Sequence, residues 1–259
     1  MAILHDALPF KTWMDPRLSR LPGILPLDPD DWLRVDEAYG AQMAERERLI
    51  AERPEAVMAA LPGSEPAVAE LFAAVTARLP GLGFAAEGDG WRCPDGRFVA
   101  RTGAPLAVLG RLVQEDLVLL QDGSDGHHVL TAAVLCFPAS WTLSEKIGRG
   151  LPGIHNPVAA YDGALAQRVQ RLFDAVRPGQ PLWRGNVLDY TDPALFQPRR
   201  EDEKRPRDTA RRGYIRSERQ VVMRLPETRA VLFAIHTYLV RRETLSAEEE
   251  AAFEARAHS

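Results

Sequence analysis

Hydrophobic positions recur along the chain with two periods, and the change of period divides it. Trp32, Leu33, Val35, Tyr39, Met43 and Leu49 return at three- and four-residue steps, which predicts a helix with one buried face. Asp28 or Asp30 is placed to cap it, with a start near Asp31. Pro54 opens a second, short helix. Glu65 and Pro66 open a third that runs to about Leu79, with Val68, Leu71, Phe72, Val75 and Leu79 on its apolar stripe. Ahead of these helices, Pro9, Pro16, Pro22, Pro26 and Pro29 give an extended arm, anchored by Phe10, Trp13 and Leu18.

From Gly81 the period shortens. Gly88-Asp89-Gly90 and Pro94-Asp95-Gly96 are turn signals, and residues 91–99 read as a hairpin. Residues 105–112 read as a short helix. EDLVLLQ, residues 115–121, predicts a buried strand, residues 122–126 its hairpin loop and residues 127–137 the return strand. The apolar run over 129–137 predicts burial on both faces. Residues 161–176 form an amphipathic helix with Leu165, Val169, Leu172, Phe173 and Val176 inward, ended by Pro178-Gly179. WRGNVLDY, residues 183–190, is a short strand. YIRSERQVVMRL, residues 214–225, pairs with AVLFAIHTYLV, residues 230–240, across Pro226-Glu227-Thr228. A capped acidic helix runs from Ser246 to about Ala257. Helices followed by hairpin-connected strands predict an α+β fold with a mostly antiparallel sheet. Residues 1–80 would be arm and helices packed on a core over 81–245, and 246–259 a terminal helix, all one structural unit.

Composition narrows the function. With 259 residues, 46% of them hydrophobic, the chain can bury a sizeable core, and its net charge of −4 offers no basic field for nucleic acid. No apolar run is long enough to span a bilayer. The first residues, MAILHDALPFKTWMDPRL, lack a basic region followed by an apolar one, so no signal peptide is expected. Cys93 and Cys136 make no disulfide framework and fit a reducing, cytoplasmic setting. No CxxC, HExxH, P-loop or GxGxxG nucleotide fingerprint is read in the chain, and no flavin, nicotinamide or iron–sulfur site is expected on it.

The candidate chemistry centres on residues 136–161, CFPASWTLSEKIGRGLPGIHNPVAAY. Thr142 or Ser144 is placed to cap a short helix containing Glu145, Lys146 and Arg149. Gly150, Pro152 and Gly153 then break the chain and present a single His155. Imidazole is a common ligand of metals and of haem iron; the alternative is a loop histidine bonded to a backbone carbonyl. This histidine would lie between the helix holding Glu145 and Lys146 and the helix over 161–176, both covering one sheet face. His127 and His128 start the return strand near the turn; one of them is a candidate ligand, although exposed turn histidines are the commoner case. Residues 197–213, QPRREDEKRPRDTARRG, read as a charged, mobile loop. Strand 214–225 carries Arg216, Glu218, Arg219 and Arg224, and its partner carries His236. Alternation sets Arg216, Glu218, Gln220 and Val222 on one face and Ser217, Arg219 and Val221 on the other. Either this is an edge strand with cross-strand ion pairs, or it lines a polar pocket with a carboxylate for a cation and guanidinium groups for carboxylates.

The segments DPRLSRLPGILPLDPDDWLRVDEAYGAQMAER, LGRLVQEDLVLL, HHVLTAAVLCFPASWTLSEKIGRGLPGIHNPVAAY and YIRSERQVVMRLPETRAVLFAIHTYL resemble the α-subunit-like family of haem-dependent oxidative N-demethylases. That family includes the haem subunit of dimethylamine monooxygenase. The resemblance implies a PAS-like sheet binding haem b. It also implies oxidative removal of a methyl group from a small secondary amine, giving a primary amine and formaldehyde. The I-H-x-P-V-x-x-Y match implies His155 as iron ligand and Tyr161 as a pocket residue, with Trp183 and Tyr190 as further walls. Glu218 would hold the substrate ammonium, and Lys146, Arg149, Arg184 and Arg219 the haem propionates. Electrons would come from a separate flavin and ferredoxin-type reductase, with NADPH, FMN and a two-iron two-sulfur cluster on partner subunits. The alternative is a haem-binding PAS-like sensor or a non-catalytic haem protein; the sensor is disfavoured because no kinase, cyclase or DNA-binding segment is attached. The chain departs from the family pattern at Val187, where tryptophan is usual. It departs also at Arg229, often glycine, and at His236, often a basic residue.

Overall fold

Side chains near the start of one strand, rather than helix propensity, decide how the chain enters the fold. In the computed structural model all residues are described except 1, 20–22, 125, 156–162, 204–211 and 257–259, with the backbone alone for 155 and 163–168. Residues 31–38 form no helix. Arg34 N donates to the Glu115 carboxylate at 2.9 Å, Asp36 N to the Gln114 amide oxygen at 3.1 Å, and the Asp36 carboxylate accepts from Ala38 N at 3.0 Å. The segment thus spends its backbone donors on tertiary partners. The helix expected from Asp31 begins only at Tyr39, although Trp32 and Leu33 are buried as their spacing required.

The elements follow in order: α1 (Pro16–Ser19), β1 (Leu25–Pro26), α2 (Tyr39–Glu52), α3 (Pro54–Val57), β2 (Met58–Ala60) and α4 (Glu65–Arg78). A small antiparallel sheet comes next: β3 (Ala85–Glu87), β4 (Gly90–Arg92) and β5 (Phe98–Ala100). Then come α5 (Pro105–Leu112), the hairpin β6 (Asp116–Asp122) and β7 (His128–Val134), and α6 (Leu143–Lys146), α7 (Leu151–His155) and α8 (Gly163–Ala175). The chain closes with β8 (Leu182–Tyr190), β9 (Tyr214–Arg224), β10 (Val231–Arg241) and α9 (Ala247–Ala255). Among the described residues the main sheet has seven strands, in the order β1-β8-β9-β10-β6-β7-β2, every pair antiparallel. The fold is α+β, as the hairpin pattern predicted.

Each face of the sheet has its own apolar layer. Val118, Leu120, Leu130, Ala133, Val222 and Val231 face α6–α8 and meet Leu143, Leu151, Phe173 and Val176. Leu117, Leu119, Ala132, Val134, Val221, Leu232 and Ala234 point the other way, onto Met43, Leu49, Leu71, Val75, Leu109 and Leu112. Double-sided burial is what the apolar run of β7 implied. Each such side chain contributes about 1.5–3 kcal/mol by leaving water. Gly110 lets α5 lie close to its neighbours, since a Cβ there would stand 2.7 Å from both Ile50 and Val134.

Several expectations are corrected. β9 lies between β8 and β10, so it is not an edge strand. β7 ends at Val134, because Cys136 N and Phe137 N turn to the Asp116 carboxylate at 2.7 and 2.9 Å. The backbone up to His155 is a short helix rather than a turn, and Arg149 lies beyond α6. Gly148, Gly150 and Gly153 have the spacing G-x-G-x-x-G, yet a four-residue helix precedes them, so the strand–turn–helix setting of a nucleotide fingerprint is missing. β1 and β2 are too short to show in the sequence pattern. Much of the charged loop lies outside the described residues, as do the first two residues of the helix expected from 161.

The arm is laid over the sheet. β6 pairs with β10 only as far as Ile235, and beyond that point His5 N donates to Leu239 O at 2.7 Å and Gln42 Nε2 to Thr237 O at 3.0 Å. Phe10 meets Trp183 edge-on with centroids 5.3 Å apart, and Trp13 meets Phe253 of α9 at 5.0 Å.

Candidate functional site

Two polar clusters interrupt the apolar faces, one on each side of β9. On the α6–α8 side, register sets Arg184 of β8 opposite Gln220 of β9 and Asn186 opposite Glu218. Glu218 is 5% exposed and Arg216 1%. Arg216 Nε and Nη2 lie 3.2 and 3.1 Å from Glu218 Oε1. Gln220 Nε2 donates to Oε2 at 3.0 Å, and Asn186 Nδ2 stands 3.4 Å from the same oxygen. Arg216 also donates to Leu195 O at 2.9 Å and to Phe137 O, so it ties two further segments to the carboxylate. Because a carboxylate only accepts, Gln220 and Asn186 turn their NH2 groups toward it and their carbonyl oxygens away.

Arg184 is different. Its Nε is buried and has no hydrogen-bond partner among the described residues, and burial lowers its pKa below the usual guanidinium range. Tyr190, on the same face by alternation, has a buried hydroxyl that is likewise unpartnered. Buried donors without acceptors are rare and point to a missing partner.

The remaining expected residues divide by place. The Lys146 ammonium is buried at 3% exposure and lies 2.5 Å from Glu201 Oε1. Arg149 Nη1 reaches that same oxygen at 2.8 Å. Hydrogen bonds from Lys146 and Arg149 hold the Glu201 carboxyl below its ordinary pKa. His155 is placed by its backbone at the end of α7; its side chain and all of Tyr161 lie outside the described residues. Arg219 falls on the opposite face from Glu218, as the alternation said. It pairs with Asp31 Oδ2 at 3.0 Å and stacks 5.9 Å from the Trp183 ring, which lies on that face too. Glu218 and Arg184 therefore share one sheet face, and Arg219 and Trp183 lie on the other. His128, expected to be exposed, is 2% exposed: Gln170 Nε2 donates to its Nδ1 at 2.9 Å, Phe173 packs edge-on at 5.7 Å, and burial lowers its pKa.

The second cluster lies on the Arg219 side, and only its His236 was visible in the sequence pattern. His236 is fully buried. Its Nε2 lies 2.9 Å from Asp36 Oδ2 and its Nδ1 2.9 Å from Glu115 Oε1. Burial alone lowers the imidazole's pKa, but the Glu115 and Asp36 carboxylates outweigh it and raise it to about 9. His5 Nε2 reaches Asp36 Oδ2 at 2.9 Å, and Gln114 Nε2 donates to Asp36 Oδ1 at 2.8 Å. These residues come from the arm, the 31–38 segment, the start of β6 and the middle of β10. No spacing announces them; the one signal was a pair of acids, Glu115 and Asp116, at the head of an apolar strand.

A family model described as haem-dependent oxidative N-demethylase, alpha subunit-like, matches residues 23–257. The chain belongs to this family. Its name carries haem dependence and an oxidative demethylation chemistry, and alpha subunit-like points to partner subunits. The matched span contains the whole Arg184–Glu218 cluster, α6 to α8 and Glu201, while His5 falls outside it. No helix among the described residues is long and apolar enough to cross a membrane.

Proposed function

We propose that this N-demethylase-family chain holds haem b against the sheet face bearing Arg184, Asn186 and Glu218, with His155 as the iron ligand. Its substrate is a small secondary amine such as dimethylamine. The observation that carries this reading is the unpartnered, buried Nε of Arg184 beside Glu218. A guanidinium with a vacant donor in a desolvated setting suits a propionate carboxylate. Lys146 and Arg149 already share one carboxylate, that of Glu201, and would give a second propionate the same two donors. A PAS-like sheet is supported by the order of the five long strands. Numbered from β6, they lie 2-1-5-4-3, with α6–α8 inserted between the second and third.

Bound haem, fed with electrons, supplies oxygen activation and oxidation of the N-methyl carbon, and the resulting carbinolamine separates into primary amine and formaldehyde. The chain's own residues bind and orient. Glu218 supplies the negative charge that attracts the substrate ammonium, and Arg216 fixes its rotamer. Asn186 and Gln220 hold its carboxylate through their NH2 groups, and Tyr161 would flank the amine. Two electrons and two protons per oxygen molecule must arrive from outside. A separate reductase would supply them, with NADPH, FMN and a two-iron two-sulfur cluster on partner subunits as the family resemblance implies. Reconstitution with such a reductase tests the reading: dimethylamine should stimulate oxygen uptake with equimolar formaldehyde. Haem binding without amine-dependent uptake would leave a non-catalytic haem protein.

A further inference from the structure

We propose that His5, Asp36 and His236 form a binding site for one divalent transition-metal ion of the zinc(II) and iron(II) class, on the sheet face away from Arg184 and Glu218. The ligating atoms of the three residues all lie within 4.8 Å of one another. Both imidazoles aim Nε2 at one oxygen, Asp36 Oδ2, each from 2.9 Å. Two imidazoles and a carboxylate are the donor set of three-ligand zinc and non-haem iron sites, which keep further positions open.

The surroundings fit such a site. Metal-binding histidines commonly give their other ring nitrogen to a carboxylate, and His236 Nδ1 meets Glu115 at 2.9 Å. Asp36 is oriented by Gln114 Nε2 at 2.8 Å and Ala38 N at 3.0 Å. Glu115 is 1% exposed, and its Oε2 has no hydrogen-bond partner among the described residues. A cavity of about 420 Å³ lined by His5, Asp36, Arg34, Asp31 and Tyr238 adjoins the ligands, with room for water at the open positions.

Binding has a definite proton balance. The ion displaces the Nε2 proton of His236 to solvent. In His5 the Leu239 amide donates to Nδ1 at 3.2 Å, so the ring's proton sits on Nε2. Ligation through Nε2 moves that proton to Nδ1 and breaks the Leu239 bond, the longest in the cluster. The Leu239 amide therefore reports occupancy separately from any activity.

The test uses the full chain as purified, stripped with a chelator and titrated with Zn²⁺ by calorimetry, with metal content measured after gel filtration. One zinc per chain is expected, with faster hydrogen exchange at Leu239. His5→Ala lies in the arm, outside the matched family span, and should leave circular dichroism and haem content unchanged. It should weaken zinc binding at least tenfold, in the range of about 10–100-fold that even outer partners of metal sites carry. His236→Gln should weaken it further. No retained zinc, or zinc bound equally well by His5→Ala, overturns the proposal and leaves a hydrogen-bonded network only.

Discussion

At the scale of single residues, the account rests on which polar atoms are spoken for and which are not. Glu218 accepts from Arg216, Gln220 and Asn186, while Arg184 Nε finds nothing among the described residues. On the proposed reading, those two facts give neighbours on one face opposite roles. Glu218→Gln keeps size and removes charge. A charge-assisted contact contributes about 1.5–3 kcal/mol, so dimethylamine affinity, read from the haem spectral shift, should fall by roughly one to two decades. Haem occupancy should stay as in the unmodified chain; its loss would place Glu218 in the propionate site instead. Arg184→Leu should do the reverse, lowering haem affinity and sparing amine affinity in the haem-loaded fraction. Cys136 offers a control at this scale. It is fully buried, and burial pushes its thiol up to about 12. Native protein should leave Cys136 unmodified by iodoacetamide at pH 8, and rapid alkylation there would show the β7 end to be open.

At the scale of elements, the β9–β10 hairpin is fastened to α4 by one side chain. Glu70 accepts from Glu227 N at 2.7 Å, Thr228 N at 2.8 Å and the Thr228 hydroxyl at 2.5 Å. Burial acts to raise its carboxyl, but these donors outweigh it and the pKa lies below the ordinary value. A depressed carboxylate stabilises above its unfolded pKa, about 4.3, and the contribution is lost as pH falls through the folded value. Glu70→Gln should therefore cost about 1 kcal/mol at pH 7, by urea denaturation, and progressively less below pH 4. An equal cost at both pH values would contradict the charge-based account. This hairpin was also among the most legible parts of the sequence, because Pro226-Glu227-Thr228 punctuates two long β-rich runs. The same holds for the β6/β7 pair and for α4, α5 and α9, whose periodicity is local, as is the Ser246–Glu249 capping box of α9. The 31–38 segment was not legible, since its amides bond to Gln114 and Glu115 far along the chain. His128 was misjudged for a related reason: its partner Gln170 arrives from α8. Glu218 could be placed on a face by counting, whereas its tie to Arg216, and the His5–Asp36–His236 convergence, depend on register and arm placement.

At the scale of the whole molecule, the two faces of one sheet carry separate tasks. The α6–α8 side holds the candidate haem face, and the other side the core under α2, α4 and α5. The arm and α9 clamp the end of β8–β10 through Leu8, Ile215, Val240 and Phe253. Phe253 is 1% exposed, and deleting a buried aromatic ring costs about 3–5 kcal/mol. Phe253→Ala should lower the stability of the chain by about 3 kcal/mol in equilibrium denaturation and expose the arm to proteolysis. A loss under about 1 kcal/mol would mean that the clamp contributes little.

The claim on which the account turns is that this chain itself binds haem through His155. The absorption spectrum of purified His155→Ala, beside that of the unmodified chain at equal protein concentration, tests it most directly. The variant should lose the Soret band or show it shifted by changed iron ligation, with circular dichroism unaltered. A Soret band of the same position and intensity in both proteins would contradict the assignment of His155.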